Sequence, residues 1–400
     1  MLFKILLLIL LHETNSVNIL IEISENKRME LQVKVKDFAN LLAIGGCFAG
    51  KNKVIPLLND VKVEARGGKC YITSFDGESS AIKRLLGVKT NNEDGFSFCV
   101  DAVNLGKTLN VLNKYEVVTL KKNETTITII HEAGSMELPF DNVDDYPVIS
   151  KDSNLKNFVV ESNILLDWLK ESSSFIIEDT LKPQMSGLYV SISNNSMCCC
   201  GTDASVLYAN EATLECQENI GDISFVIPKK VFVPLLNLLK ETENNNIFIS
   251  ADDKNIWFAN ANSRISFRIV EGKYPNYNAV IPTNHTITVE IVKEQLVNAL
   301  NRANIFTDLT KCVKMRIEND KLHIIATNID LSKKSQETLP ISHVGEDLEI
   351  GVNGERFINN INSIDSEVVQ LLFTSSSRPI LMKDELNKNK QIIAMPMMLK

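Results

Sequence analysis

At 400 residues, with 44% apolar and 23% charged residues, the chain exceeds what one hydrophobic core serves and reads as a large multidomain globular protein. Its net charge of −8 argues against a protein that coats nucleic acid by overall basicity, although a local basic strip remains possible because steering depends on the local field. Eight cysteines without paired CxxC spacing argue against a zinc ribbon or a disulfide scaffold and read as small buried apolar residues in a reducing cytoplasm.

The chain opens with an apolar run over residues 2–11, shorter than the roughly 20 residues of a membrane span and followed by no small-x-small cleavage site. Residues 1–28 therefore read as an extension outside the fold. From Met29 a pattern begins in which the strand-like RMELQVKV runs into the helical KDFANLLAIGGCF. Arg66, Gly67 and Gly68 punctuate a hairpin, and Ala102, Leu105, Leu109 and Leu112 make the apolar stripe of a second helix. TITII near Ile127 is a strand, and Tyr146 with Pro147 closes the segment in FDNVDDYPVI. The pattern then restarts. SNILLDWLKESSSF places Ile164, Leu165, Trp168 and Leu169 on one helix face; Cys198, Cys199 and Cys200 sit on a strand whose alternation would put Cys199 opposite the other two. Pro228 starts a helix with Val231, Leu235, Leu238 and Leu239 inward, and Tyr274 with Pro275 closes this segment. A third round runs through ITVEIV, KEQLVNALNRANIF, KMRIE, an Asn319 and Asp320 hairpin, and a helix carrying Phe357, Ile358 and Ile361.

The period is about 130 residues, against about 20–50 for solenoid units, so each unit can bury its own core. The fold class is α+β: three tandem domains over 29–153, 154–283 and 284–400, each with two helices and about eight strands in two similar halves. Catalytic chemistry is hard to find. Gly106, Lys107 and Thr108 lack the earlier glycine of a phosphate loop and lie inside a helix; the Gly45 to Gly50 run follows a helix as a C-cap and turn. Five scattered histidines show no metal spacing, and Asp141, Asp144 and Asp145 lack the glycine and terminal glutamate of a calcium loop. Two readings from other classes stand beside a binding role: an exported tandem-domain surface protein, suggested only by the apolar start, and an enzyme without a visible catalytic constellation.

Basic residues recur opposite the apolar stripes or just after the helices. They are Lys51, Lys53, Lys107 and Lys114, then Lys170, Lys182, Lys229 and Lys230, then Lys293, Arg302, Lys311 and Arg356. Any one fits a solvated helix face; recurrence at matching places in three repeats points to a strip that would contact phosphates without reading sequence.

Over nearly all of 29–400 the chain resembles the bacterial DNA polymerase III beta subunit family of ring-shaped sliding clamps. FRIVEGKYPNYNAVIP (267–282), SRPILM (377–382), AMPMML (394–399), MSGLYV (185–190) and GTDASVLYA (201–209) carry the resemblance. It implies a head-to-tail homodimer with helices lining a central hole and antiparallel sheets outside. It implies no catalysis and no cofactor or metal. The partners it implies are double-stranded DNA, a polymerase catalytic subunit, an ATP-dependent clamp loader and other proteins carrying a clamp-binding motif. A partner-peptide pocket maps onto Met185, Thr202, Leu207, Pro275, Val280, Pro379, Ile393, Met395, Pro396 and Met397, and the subunit contact onto Met136, Leu138, Ile305 and Phe306. Two departures touch the pocket rim: Ser205 and Val206 stand where the family usually has a bulky polar or aromatic residue and then arginine, and Ala279 replaces a common basic residue.

Overall fold

The computed structural model describes residues 30–50, 52, 54–91, 95–147, 155–193, 196–214, 222–242 and 246–399. The extension 1–28, Lys51, Lys53 and Cys216 lie outside these residues. Among the described residues there are six α-helices: α1 (Val35–Gly45), α2 (Ala102–Val111), α3 (Ser162–Ser172), α4 (Phe232–Lys240), α5 (Lys293–Asn304) and α6 (Gly354–Asn362). Each begins where a strand ends, α4 by way of the 3-10 turn Lys229–Val231. They pack in pairs, α1 with α2, α3 with α4 and α5 with α6.

Local chemistry sets these boundaries. The Asp101 carboxylate accepts from the Asn104 amide at 2.7 Å, and the Asn353 side chain accepts from the Arg356 amide at 3.0 Å, each filling an orphan donor at a helix start. The expected stripes turn inward: Leu105, Leu109 and Leu112; Leu165, Trp168 and Leu169; Val231, Leu235, Leu238 and Leu239; Phe357, Ile358 and Ile361 are all buried, with Ala102 and Ile164 half-buried at the stripe margins. Gly354 lets α6 approach α5, since a Cβ there would sit 2.0 Å from the Asn304 side-chain oxygen. Both expected hairpins form with two successive residues at positive φ, Gly67 and Gly68 in one and Asn319 and Asp320 in the other, the twist a two-residue turn needs.

Contacts divide the chain into two units that do not follow the repeats, because the middle repeat contributes to both: 1–156 with 241–268, and 157–240 with 269–400. In the first unit a five-stranded sheet runs Lys89–Thr90, Glu30–Lys34, Val117–Lys122, Thr126–His131, Gly134–Pro139. A second sheet carries, in order, Asn246–Ala251, Asn255–Ala259, Ser263–Arg268, Ser79–Leu86, Lys69–Phe75, Asp60–Arg66 and Phe96–Asp101. Its seam joins Ser263–Arg268 to Ser79–Leu86, where Ser80 and Ser266 share a hydroxyl hydrogen bond of 2.5 Å. In the second unit a nine-stranded sheet places Gln391–Ala394 between Val206–Thr213 and Ile380–Lys383, and a four-stranded sheet ends at the edge strand Lys333–Pro340.

Cys199 and Cys200 are buried, as expected of small apolar residues, while Cys198 is half-buried. Cys200 packs with Leu207 and Tyr274 on one face while α3 lies against the strand, so both faces are covered. Burial pushes the Cys70, Cys99 and Cys200 thiols up to about 12, which leaves them protonated and unreactive at neutral pH. No helix of the described residues is long and apolar enough to cross a membrane.

Candidate functional site

In the second unit the turn ahead of Val206–Thr213 is organised by Asp203. One carboxylate oxygen accepts from the Ser205 amide at 2.8 Å, the Ser205 hydroxyl at 2.7 Å and the Val206 amide at 2.9 Å. Thr202 closes the turn by donating its hydroxyl to the Val206 carbonyl at 2.6 Å, and Ala204 takes the left-handed conformation the turn requires, φ 74°. The segment 395–397 is pinned across this turn. The Met395 amide donates to the Ser205 carbonyl and the Met397 amide to the Gly351 carbonyl, both at 2.8 Å. From α6, Arg356 reaches back to the second Asp203 oxygen at 2.8 Å and to the Ser205 hydroxyl. Together these residues enclose a cavity of about 270 Å³, walled by Val206, Val352, Phe357 and residues 394–397.

Behind the site a buried ionic cluster fixes the same elements. Lys390 is 1% exposed, and its ammonium donates to Glu171 and the Ser363 carbonyl at 3.1 Å and to Asp365 at 2.7 Å, with Asp384 at 3.5 Å. Burial pulls the Lys390 ammonium down, but Asp365 and Glu171 outweigh it and hold its pKa above the ordinary lysine value. Burial raises Glu171, which also accepts from the Tyr208 hydroxyl at 2.8 Å. Asp384 is likewise opposed by burial, yet the Asp365 and Leu386 amides and Lys390 bring it below the ordinary carboxylate value.

The structure brings Met395, Pro396 and Met397 to the cavity itself. Leu207 and Ile393 face each other across the strand pair and are buried in a cluster with Cys200, Val226, Tyr274, Leu372 and Leu381, against which Tyr277 and Ile281 pack. Pro275 and Val280 are exposed, Val280 on the 3-10 turn Tyr277–Val280, while Met185 ends the half-buried turn Pro183–Met185. Thr202 is buried and Pro379 half-buried. Of the ten expected residues, then, Met395, Pro396 and Met397 line this cavity, and the other seven lie outside its lining.

Among the basic residues, Lys107, Lys114, Lys170 and Lys182 are exposed, Lys114 lying over the Tyr115 ring at 5.0 Å, and Lys230 is exposed as well. Others are already engaged. Lys229 donates to the Ile176 carbonyl at 2.5 Å, Lys293 to the Ile364 carbonyl, and Arg302 forms a two-point pair with Glu337. Lys311 pairs with Glu355 at 2.8 Å, and Arg356 belongs to the cavity rather than to an unengaged helix face. Of the expected contact residues, Met136 and Leu138 lie on the edge strand Gly134–Pro139, half-buried against the first unit's core; Ile305 is 71% exposed and Phe306 half-buried.

Asp203, Val352, Asn360 and Lys390 were not singled out by the sequence, and Phe357 was read only as part of a helix's apolar stripe. The TDAS run does carry a turn signal, since an aspartate side chain can accept from the backbone amides two and three residues on. A lysine inside NKNKQ carries no sign of burial.

The chain matches three successive family models: DNA polymerase III beta subunit, N-terminal domain over 29–150, central domain over 160–276 and C-terminal domain over 278–398. It is 21% identical to the beta sliding clamp of Chlamydia muridarum (strain MoPn / Nigg) over 93% of this chain and 99% of that one. It is 24% identical to the beta sliding clamp of Lactococcus lactis subsp. lactis over 89% and 95%. A crystal structure of the Thermotoga maritima DNA polymerase III beta subunit superposes with a TM-score of 0.86 at 20% identity, covering 93% of this chain and all of that one.

Proposed function

Because the chain belongs to the DNA polymerase III beta subunit family, we propose that it works as a DNA sliding clamp, a non-catalytic processivity factor of the replicative polymerase. The observation that carries this reading is the threefold recurrence of a helix pair backed by antiparallel sheet, under three successive matches to one clamp family. The domains are 29–153, 154–283 and 284–400. Two copies join head to tail into a cytoplasmic ring, the helices facing duplex DNA and the sheets facing outward.

The physical logic is consistent. Edge strands Gly134–Pro139 and Lys333–Pro340 each expose a row of backbone donors and acceptors, and pairing one copy's edge with the other copy's removes a template for aggregation. Ile305, at 71% exposure, gains cover from such a contact. DNA is then held by topology, so exposed lysines such as Lys107, Lys114, Lys170 and Lys182 need only weak, sequence-independent phosphate contacts. Polymerase and repair partners dock by short apolar segments in the pocket around Met395 and Met397, and ring opening is the work of an ATP-driven loader.

Two measurements test the reading. Loaded protein should slide off linear DNA and stay on a closed circle; equal retention on both defeats the clamp. Replacing Ile305 and Phe306 by glutamate should turn a dimer into a folded monomer in solution, and an unchanged dimer mass removes these residues from the interface.

A further inference from the structure

The cavity beside α6 has apolar walls and one charged lining residue, Arg356. Both of its protein acceptors, Asp203 and Ser205, bond to Nη1; Nε and Nη2 have no partner among the described residues. Asp203 does not line the cavity, and it already takes three donors on one oxygen and Arg356 on the other. A second residue points the same way. Asn360 is 2% exposed, lines the cavity, and its side-chain amide nitrogen has no hydrogen-bond partner. A buried donor left unpaired is costly, and such a group signals an acceptor supplied from elsewhere.

The two lining side chains with unfilled positions, Arg356 and Asn360, thus both offer donors, and one of them is cationic. A carboxylate meets both with acceptor oxygens only and can take the guanidinium in two-point geometry. A carboxamide of equal size brings one acceptor and two further donors, which face donors already in place. At about 270 Å³ the cavity falls just below the roughly 300–1,000 Å³ of drug-sized sites, which suits one or two side chains and not a helix.

We propose that Arg356 makes this cavity selective for an acidic residue within an otherwise apolar peptide segment of a partner protein. This rests on the reading of the pocket as a peptide dock and narrows it: the apolar walls seat the segment, and the carboxylate sets which segments are accepted.

The test uses the full chain with ¹³C-methyl methionine, following the Met395 and Met397 signals by NMR. The titrants are Gly-Ser-Glu-Leu-Leu-Leu-Gly-Ser and its twin with glutamine for glutamate. The glutamate peptide should bind at least about fivefold more tightly, the advantage of a charge-assisted over a neutral hydrogen bond. Arg356→Gln should erase that ratio and Arg356→Lys should keep part of it, with the remaining methionine signals reporting that each variant is folded. Equal affinities in the unaltered protein, or a preference that survives Arg356→Gln, overturn the role of Arg356 while leaving the dock in place. If neither peptide moves either methionine, the dock fails and the selectivity with it.

Discussion

In the first unit the seam between distant strands mixes small hydroxyls with apolar residues: Ser79, Ser80 and Ala81 lie opposite Phe267, Ser266 and Ile265, and Ser80 bonds Ser266 directly. In the second unit the corresponding seam sets Val206, Leu207 and Tyr208 against Ala394, Ile393 and Ile392. Each unit also buries a lysine near its seam. Lys83 meets the one carboxylate of Glu241, at 2.6 Å, and the Asn40 side chain; Lys390 meets three carboxylates and a carbonyl. The difference extends to the cavities. A cavity of the first unit is larger, about 600 Å³ against about 270 Å³, but beside Leu85, Leu86 and Phe248 it is lined by the Lys83 and Glu241 pair and by Asn260, Asn262 and Ser263. Volume alone does not mark a binding site. The proposed dock is set apart instead by a seam that continues past its last pair as Met395, Pro396 and Met397, with a cation and an unpaired amide beside it.

The comparison breaks most directly at the lysines. Lys390→Met strands buried carboxylates and should cost about 3–5 kcal/mol, whereas Lys83→Met, whose partner is a third exposed, should cost no more than about half as much. Urea unfolding with hydrogen exchange to assign each loss to its unit decides this; equal losses end the distinction. At the seams, Leu207→Ala should cost about 2–5 kcal/mol through the cavity it leaves, and Ser80→Ala only about 1 kcal/mol. Thermal unfolding of the two variants orders them.

Acid and base separate the units further. Asp60, buried in the first unit, is pushed up to about 7 by burial and then by Asp141 and Asp101, above its ordinary value of 3.8. A carboxyl raised by folding contributes stability that is full below 3.8 and is lost as pH rises through about 7. Asp384 in the second unit has the opposite sign: lowered by folding, it contributes above the ordinary value and loses that contribution as pH falls through its folded value. Asp60→Asn should therefore gain on the unaltered protein between pH 4 and 8, by on the order of 2 kcal/mol at the upper end, a figure reduced because neighbouring Asp141 is open to solvent. Unfolding midpoints across that range, flat for the difference between the two proteins, would refute it. The smallest effect lies away from both seams. Lys107→Gln in one unit and Lys170→Gln in the other should each flatten the log–log salt dependence of DNA binding by about 0.9, alike in both units.

Much of the local structure was legible in the residues. Leucine spacing gave the helix faces, and Gly67 with Gly68 and Asn319 with Asp320 gave two hairpins, because these depend on neighbours three or four positions away. Met395 and Met397 stood out only through the family resemblance carried by AMPMML, not through any spacing. The seams were not. They pair Ser80 with Ser266 and Leu207 with Ile393, and no local period reports a partner at that distance. Spacing also says which helix face a lysine occupies but not which acceptor it finds, so Lys229, Lys293 and Arg302 emerged holding acceptors within the chain. Arg356, expected on a basic strip, turned to Asp203 because the turn at 203–206 spends its own donors and leaves one oxygen facing α6.

The first unit's seam also sets a timetable for synthesis. Ser80 and Ser266 are 186 residues apart, so at about 5–20 residues per second the strand Ser79–Leu86 waits about 10–40 s on the ribosome before its neighbour exists. During that interval an unpaired edge is open to any other nascent chain. Lys83 and Arg84, with Ser79 and Ser80, make that edge a poor adhesive, and the more apolar seam of the second unit is the one completed later, when Gln391–Ala394 slots between strands already made.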